Sequence, residues 1–279
     1  MIKIKNKLGL WIGLGMASVV LVCLLLVLLP GEMTAGTQET STGAATEETT
    51  LPQPTANVFT PMDFGYEGGY LTCLTDESIR GIDVSTHQKE IDWEQVKAAG
   101  FEFVMIRIGY RGSVQGLLFE DEWAQVNYAG AKAAGLKVGG YFFSQSISVE
   151  EAIEEANYAM SIIEGWELDM PIVYDWEFLQ EDYRNAHVDA RMLTDYTKAF
   201  CQTVESAGYE AMVYFNPDIS RKQMYLEELT DYRFWLAMYK DQMDYPYKVD
   251  MWQYTCTGTV PGISGDVDIN LYFPYENEA

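Results

Sequence analysis

Apolar and polar positions divide the chain into three stretches. From Leu8 to Leu29 every residue is apolar, Gly or Ser. Those 22 residues suffice to cross a bilayer core of about 30 Å at about 1.5 Å per residue. Lys3, Lys5 and Lys7 in front of them predict a cytoplasmic N-terminus. A cleaved signal peptide has a shorter apolar run, usually about 7–15 residues, and a small-x-small site. The run from Pro30 to Gly36 offers no clean site of that kind. Residues 8–29 therefore read as an uncleaved single-pass anchor, with residues 1–30 forming a cytoplasmic stub and a transmembrane helix. A secreted protein is the alternative if the N-terminus is cleaved. Residues 31–60 are rich in Thr, Glu, Gly and Pro. Such a stretch buries too little surface to offset its ordering entropy and predicts a disordered linker. Apolar patterning returns in residues 61–279, which predict one extracellular domain, its barrel spanning about 79–274.

Within that domain the pattern alternates between strand and helix. An aromatic, turn-rich stretch (61–78) predicts an extension lying on the main domain. SIRGIDVS, FEFVMIRIGY, LKVGGYFFSQS, MPIVYDWEF and YEAMVYFN read as strands. Helices are predicted between and after them over 93–100, 121–135, 149–165, 189–207 and 217–229, with Ser148 capping the third and Glu151 in the capping-box position. RFWLAMY, VDMWQYT and DVDINLYF follow as three strands with little room for helices between them. Eight strands and five helices in this order predict an α/β fold with a largely parallel sheet and right-handed crossovers. About 200 residues suit a small closed barrel. An open doubly wound sheet would favour a Gly-rich nucleotide loop after the first strand, and GIDVSTHQ is not one.

Composition narrows the chemistry. Apolar residues make up 48% and charged residues 22%, which excludes a wholly disordered chain. The 18 basic residues face 42 acidic ones, for a net charge of −24. A nucleic-acid partner is excluded on that balance, because phosphate binding needs a basic face. Two histidines and four cysteines without a CxxC pair leave no zinc motif. No cofactor and no metal is expected. Cys73, Cys201 and Cys256 lie beyond the anchor, and the sequence fixes no pairing among them.

Active sites of parallel barrels lie at the C-terminal ends of the strands. The clearest signal there is Asp175-Trp176-Glu177, because residues i and i+2 of a strand share a face. Two carboxylates leaving a buried strand together push at least one pKa upward, which is the condition for glycoside hydrolysis. Asp83 and Asp268 are each expected to close an apolar strand and to reach the same mouth. Arg107, inside an apolar strand, reads as a charge partner for one of these acids. Tyr141, Tyr214, Asn216, Tyr239 and Trp252 stand at strand ends as substrate-binding candidates. A hard-metal site is the competing reading of four acids. The Tyr and Trp rings favour sugar instead, although Tyr141 and Trp252 also suit a core. His87 beside Ser85 has no third partner for a triad.

RGIDVSTHQKEIDWEQVKAAGFEFVMIRIGYRG, GGYFFSQSISVEEAIEEANY, PIVYDWEF, WLAMY and WQYTCTGTVPGISGDVDIN resemble the glycoside hydrolase family 25 lysozymes, the Chalaropsis-type muramidases. The likeness runs from about Arg80 to Phe273. It implies an irregular (β/α)5(β)3 TIM-like barrel. It also implies cleavage of the β-1,4 bond between N-acetylmuramic acid and N-acetylglucosamine in peptidoglycan strands. By the same resemblance Glu177 matches the general acid and Asp175 its paired carboxylate, which supports attack by the substrate's acetamido carbonyl. Asp83 and Asp268 match two further acids of the cleft, and Tyr141, Tyr214 and Trp252 line the sugar site. Two alternatives stay open: a non-catalytic wall-binding module on the same barrel, and a hydrolase of another N-acetylated glycan.

Overall fold

The computed structural model describes residues 51–274 except Leu179 and Glu181. The expected membrane span at 8–29 and the first part of the expected linker lie outside the described residues. Among the described residues no helix is long and apolar enough to cross a membrane.

Eleven strands are described: β1 (Phe64–Glu67), β2 (Tyr70–Cys73), β3 (Ile79–Val84), β4 (Phe103–Arg111), β5 (Leu118–Glu120), β6 (Lys137–Ser144), β7 (Ile172–Trp176), β8 (Ala211–Phe215), β9 (Arg233–Ala237), β10 (Met251–Gly258) and β11 (Val267–Tyr272). Five α-helices separate the barrel strands up to β9: α1 (Trp93–Ala98), α2 (Ala124–Ala133), α3 (Val149–Ile162), α4 (Ala190–Ser206) and α5 (Pro217–Lys222). The sheet runs β3-β11-β10-β9-β8-β7-β6-β4, and β3 pairs with β4 to close it into an eight-stranded barrel. Pairing is parallel from β3 through β4, β6, β7, β8 and β9 to β10. Strand β11 is antiparallel to both its neighbours, β10 and β3.

Local chemistry explains the helix boundaries. The Asp92, Ser148 and Asp189 side chains accept from the backbone N–H three residues on and cap α1, α3 and α4. The Glu151 carboxylate accepts from the Ile147 N–H, one residue before the cap, so the predicted capping box is displaced by one residue. Helix α2 starts three residues later than predicted. Its acidic leader, Asp121, is buried and engaged with Arg107 and with the N–H groups of Thr86 and Trp123. Helix α5 stops at Lys222 rather than 229, and the chain continues through a 3-10 turn at Leu226–Glu228. The three-residue strand β5, an antiparallel partner of β4, is too short to show an alternation in the sequence.

The predicted extension is a hairpin, β1–β2, and the residues just before it also pair with the barrel. Ala56 bridges Tyr247, the Asn57 N–H donates to the Pro246 carbonyl, and Phe59 packs on Phe64 and Phe273. From Thr55 on, these backbone pairings and the Phe59 ring tie the end of the expected linker to the barrel. Cys73, Cys201 and Cys256 are all free thiols.

Away from irregularities at Arg107/Gly109 in β4 and after Gln253 in β10, the barrel strands alternate, as pleated strands must. Val104, Ile106, Ile172, Tyr174, Trp176, Val213, Leu236, Trp252 and Leu271 turn outward into the larger core beneath the helices. Ile79, Phe103, Met105, Val173, Met212, Trp235, Met251 and Tyr272 turn inward and fill the barrel. Gly81 and Gly139 make room for this filling. A Cβ on Gly81 would stand 2.4 Å from the Phe103 ring, and one on Gly139 2.7 Å from the Met105 sulfur. Gly81→Ala is therefore expected to destabilise the domain by about 1–3 kcal/mol through overpacking. Urea unfolding of the variant against wild type checks this.

Candidate active site

The inward rows change character toward the barrel mouth. Along β3 they run Ile79, Gly81, Asp83; along β7, Val173, Asp175 and then Glu177; along β8, Met212 and Tyr214. A floor of apolar side chains thus carries a layer of acids and tyrosines. Asp268 reaches that layer by a different route. It is the second residue of β11, not the last, and the antiparallel run of that strand brings its start to the mouth opposite Asp83. The expectation that Asp268 closes its strand is corrected on this point.

These residues line a cleft of about 200 Å3 that holds Asp83, Asp175, Glu177 and Asp268 together with Arg107, Tyr141, Tyr214, Trp235, Tyr239, Gln253 and His87. Asp83 is held by a relay of fixed polarity. The Trp235 indole N–H donates to Asn270 Oδ1 at 2.8 Å, so the Asn270 amide N–H2 faces Asp83 Oδ2, also at 2.8 Å. The Tyr214 and Tyr239 hydroxyls donate to Gln253 Oε1 at 3.2 and 3.1 Å, and Gln253 Nε2 donates to the same Asp83 oxygen at 2.8 Å. Because indole N–H donates only, the orientation of the first amide follows.

Glu177 is held through its backbone. Its carbonyl accepts from the side-chain amides of Gln145 and Asn185, both at 2.8 Å and both buried. The carboxylate is left half-buried at the cleft surface. Asp175 is buried, and its Oδ1 has no hydrogen-bond partner.

Electrostatics follow from this crowding. Burial, and next the charge of Asp268, raise the pKa of Asp83 well above the usual carboxylate range against two hydrogen bonds that lower it. Burial and the charges of Glu177 and Asp83 do the same for Asp175, opposed in part by Arg107. Glu177 is raised by burial and by Asp268. Burial lifts Asp268 to about 6. All four acids are thus pushed toward their protonated forms.

Some expected site residues stand elsewhere. Arg107 lines the cleft, but its ion pair at 2.7 Å is with Asp121 rather than with one of the four acids. Trp252 is fully buried on the outward face of β10, donates to the Met238 carbonyl and packs on Phe64. Its neighbour Gln253 has the inward parity instead. Asn216 caps α5, accepting from the N–H groups of Asp218 and Ile219, and does not line the cleft. Tyr141, Tyr214 and Tyr239 do line it. Asp121 and Asn185 escaped the sequence reading. An acid ahead of a helix looks like a cap, and an Asn in a loop carries no pattern. Parity would have selected Gln253 over Trp252 once Met251 was assigned to the barrel interior.

Comparison with known proteins decides the family. The model of the glycosyl hydrolases family 25 matches residues 82–263. The chain belongs to glycosyl hydrolase family 25. Solved structures agree on the fold. The modular autolysin LytC from Streptococcus pneumoniae is 23% identical at a TM-score of 0.64, over 75% of this chain and 50% of that one. A family 25 glycosyl hydrolase from Bacillus anthracis is 22% identical, with a TM-score of 0.58, over 72% and 91%. The bacterial lysozyme from Streptomyces coelicolor is 25% identical, with a TM-score of 0.57, over 72% and 94%. The chain spans half the length of the autolysin. No curated protein matches. The family 25 segment contains Asp83, Asp175 and Glu177, whereas Asp268 lies beyond it on β11. Among the described residues no set of three His, Cys, Asp or Glu side chains is placed to hold a metal ion.

The pKa of Asp268 fixes a sign. A carboxylate raised from 3.8 to about 6 in the folded state contributes stability that is fully present below its unfolded pKa and lost as pH rises through about 6. At pH 7 the charge therefore destabilises. Asp268→Asn is expected to stabilise the domain at pH 7 by on the order of 2 kcal/mol, and not at pH 4. Thermal melts at the two pH values check this.

Proposed function

We propose that this family 25 chain is an N-acetylmuramidase of the Chalaropsis type. It cleaves the β-1,4 bond between N-acetylmuramic acid and N-acetylglucosamine in peptidoglycan. One observation carries the reading: Glu177 stands half-buried in a cleft with three further acids, its pKa raised by burial and by Asp268. A carboxylic acid held protonated beside the substrate is what leaving-group protonation requires.

The roles follow from the geometry. Glu177 gives its proton to the glycosidic oxygen as the bond to the anomeric carbon breaks. Asp175 Oδ1, buried and without a partner, accepts the N–H of the 2-acetamido group, whose carbonyl oxygen bonds to the anomeric carbon as the leaving group departs; a water that gives a proton back to Glu177 then displaces that oxygen. Asp83 is oriented by Asn270 and Gln253, and Asp268 keeps the acidic field on Glu177. The Tyr141, Tyr214 and Tyr239 rings flank the sugar. The pneumococcal autolysin, which shares the fold, has been solved with a synthetic peptidoglycan ligand. That supports the choice of substrate.

The same reading includes location. The 22 apolar residues at 8–29 behind three lysines anchor the chain in the cell membrane, and the Thr- and Glu-rich linker holds the barrel outside, close to the wall. Secretion is the outcome if the N-terminus is cleaved.

The test uses the full chain on purified peptidoglycan, with borohydride reduction of the products and mass spectrometry of the new ends. Reduced muramic acid ends are expected. Glu177→Gln is expected to lower their release by about 10²–10⁴-fold, the usual contribution of a positioned acid. Reduced glucosamine ends would contradict the bond assignment. Full activity of Glu177→Gln would contradict the role of the acid. Wall binding without any new ends would identify a binding module.

A further inference from the structure

A second cavity, of about 490 Å3, adjoins the cleft. Tyr239 lines both and forms their common wall. The far side of the second cavity is built by the β1–β2 hairpin through Tyr66 and Tyr70, and its remaining walls include Asp241 after β9 and Thr255 and Thr257 on β10. The hairpin lies outside the residues that the family model matches. This wall is therefore an addition to the matched segment.

The hairpin is firmly docked. Phe64 is buried against Trp252 at 5.1 Å between ring centroids. The Tyr70 hydroxyl donates to the Thr259 carbonyl at 3.1 Å, and the Leu71 N–H to the Tyr254 hydroxyl at 3.3 Å. The Tyr66 hydroxyl donates to Asp241 Oδ1 at 2.8 Å, which ties the hairpin tip to the loop after β9. Yet Tyr66 stays 60% exposed and Tyr239 54% exposed, so neither ring serves to fill a core.

The lining decides the ligand class. Two open aromatic rings, the Thr255 and Thr257 hydroxyls 3.4 Å apart among three lining threonines, and a carboxylate suit a hydroxylated ring, which offers apolar faces and equatorial donors. Among the described residues the one cation of the lining, Lys240, is paired with Asp244 at 2.6 Å, and Asp241 Oδ1 accepts from Tyr66, which leaves Oδ2 to accept from a hydroxyl. The cavity is thus better matched to neutral sugar than to the charged groups of a peptide stem.

We propose that the hairpin adds a saccharide subsite next to the cleavage cleft. A glycan strand leaving the cleft passes over Tyr239 and rests on Tyr66, while Asp241 accepts hydrogen bonds from its hydroxyls and Thr255 and Thr257 accept and donate them. This rests on the muramidase reading of the cleft and makes the enzyme selective for longer strands.

The test is kinetic, with the full chain on peptidoglycan strands of defined length from which stem peptides have been removed. Wild type is expected to show a kcat/KM that rises with strand length. Tyr66→Ala is expected to raise KM for octasaccharides about tenfold more than for tetrasaccharides, with kcat little changed. Tyr66→Phe, which keeps the ring and loses the bond to Asp241, is expected to retain most of the length preference. Melting curves exclude misfolding of either variant. The same comparison in a Glu177→Gln background, read by calorimetry, requires a matching tenfold loss of affinity and does not depend on turnover. Wild-type inactivity would overturn the muramidase reading, and the calorimetry would still decide the subsite. Equal length profiles and equal affinities for wild type and Tyr66→Ala would overturn the subsite alone. A penalty seen only on strands that keep their stem peptides would assign the cavity to peptide and overturn the saccharide proposal.

Discussion

Asp83 and Asp268 face each other across the seam where β11 closes the barrel against β3. Two like charges in register at a buried mouth form an unfavourable pair, and much of the surrounding structure answers that constraint. Asn270 and Gln253 direct amide donors at one oxygen of Asp83, and Trp235, Tyr214 and Tyr239 hold those amides in the required orientation. The relay satisfies Asp83 without a counter-ion. The field it leaves in place acts on Glu177.

The nearest basic side chain is turned aside. Arg107 lines the cleft, yet both its Nε and an Nη stand 2.7 Å from Asp121. Its effect on Asp175 lowers the pKa, but burial, Glu177 and Asp83 outweigh it. Glu177 itself is placed by its carbonyl, which Gln145 and Asn185 grip from two sides, so its carboxylate is free of structural duty. Stability is sacrificed at the mouth and recovered below it, where Phe103, Met105, Trp235 and Tyr272 fill the barrel.

The barrel was legible from the sequence because its strands are apolar runs and α1, α3 and α4 carry Asp or Ser caps and Gly stops. Asp175 and Glu177 were legible because a period of two forces i and i+2 onto one face. The position of Asp268 needed the direction of β11, which local pattern does not encode. Trp252 misled because an aromatic at a strand end fits either face, and only strand register separates it from Gln253. Asn216 misled for a similar reason: an Asn after a strand serves equally as a helix cap. The hairpin wall at Tyr66 depends on contacts more than 170 residues apart in sequence, from Tyr66 to Asp241. No local signal carries that.

On the proposed mechanism, burial and then the charge of Asp268 keep Glu177 protonated for catalysis. The dependence of kcat/KM on pH, for wild type and for Asp268→Asn on the same glycan, tests it most directly. Removing the Asp268 charge lowers the pKa of Glu177, so the alkaline limb of the profile should move to lower pH while some activity remains. An alkaline limb that stays where it is in an active Asp268→Asn enzyme would contradict the account.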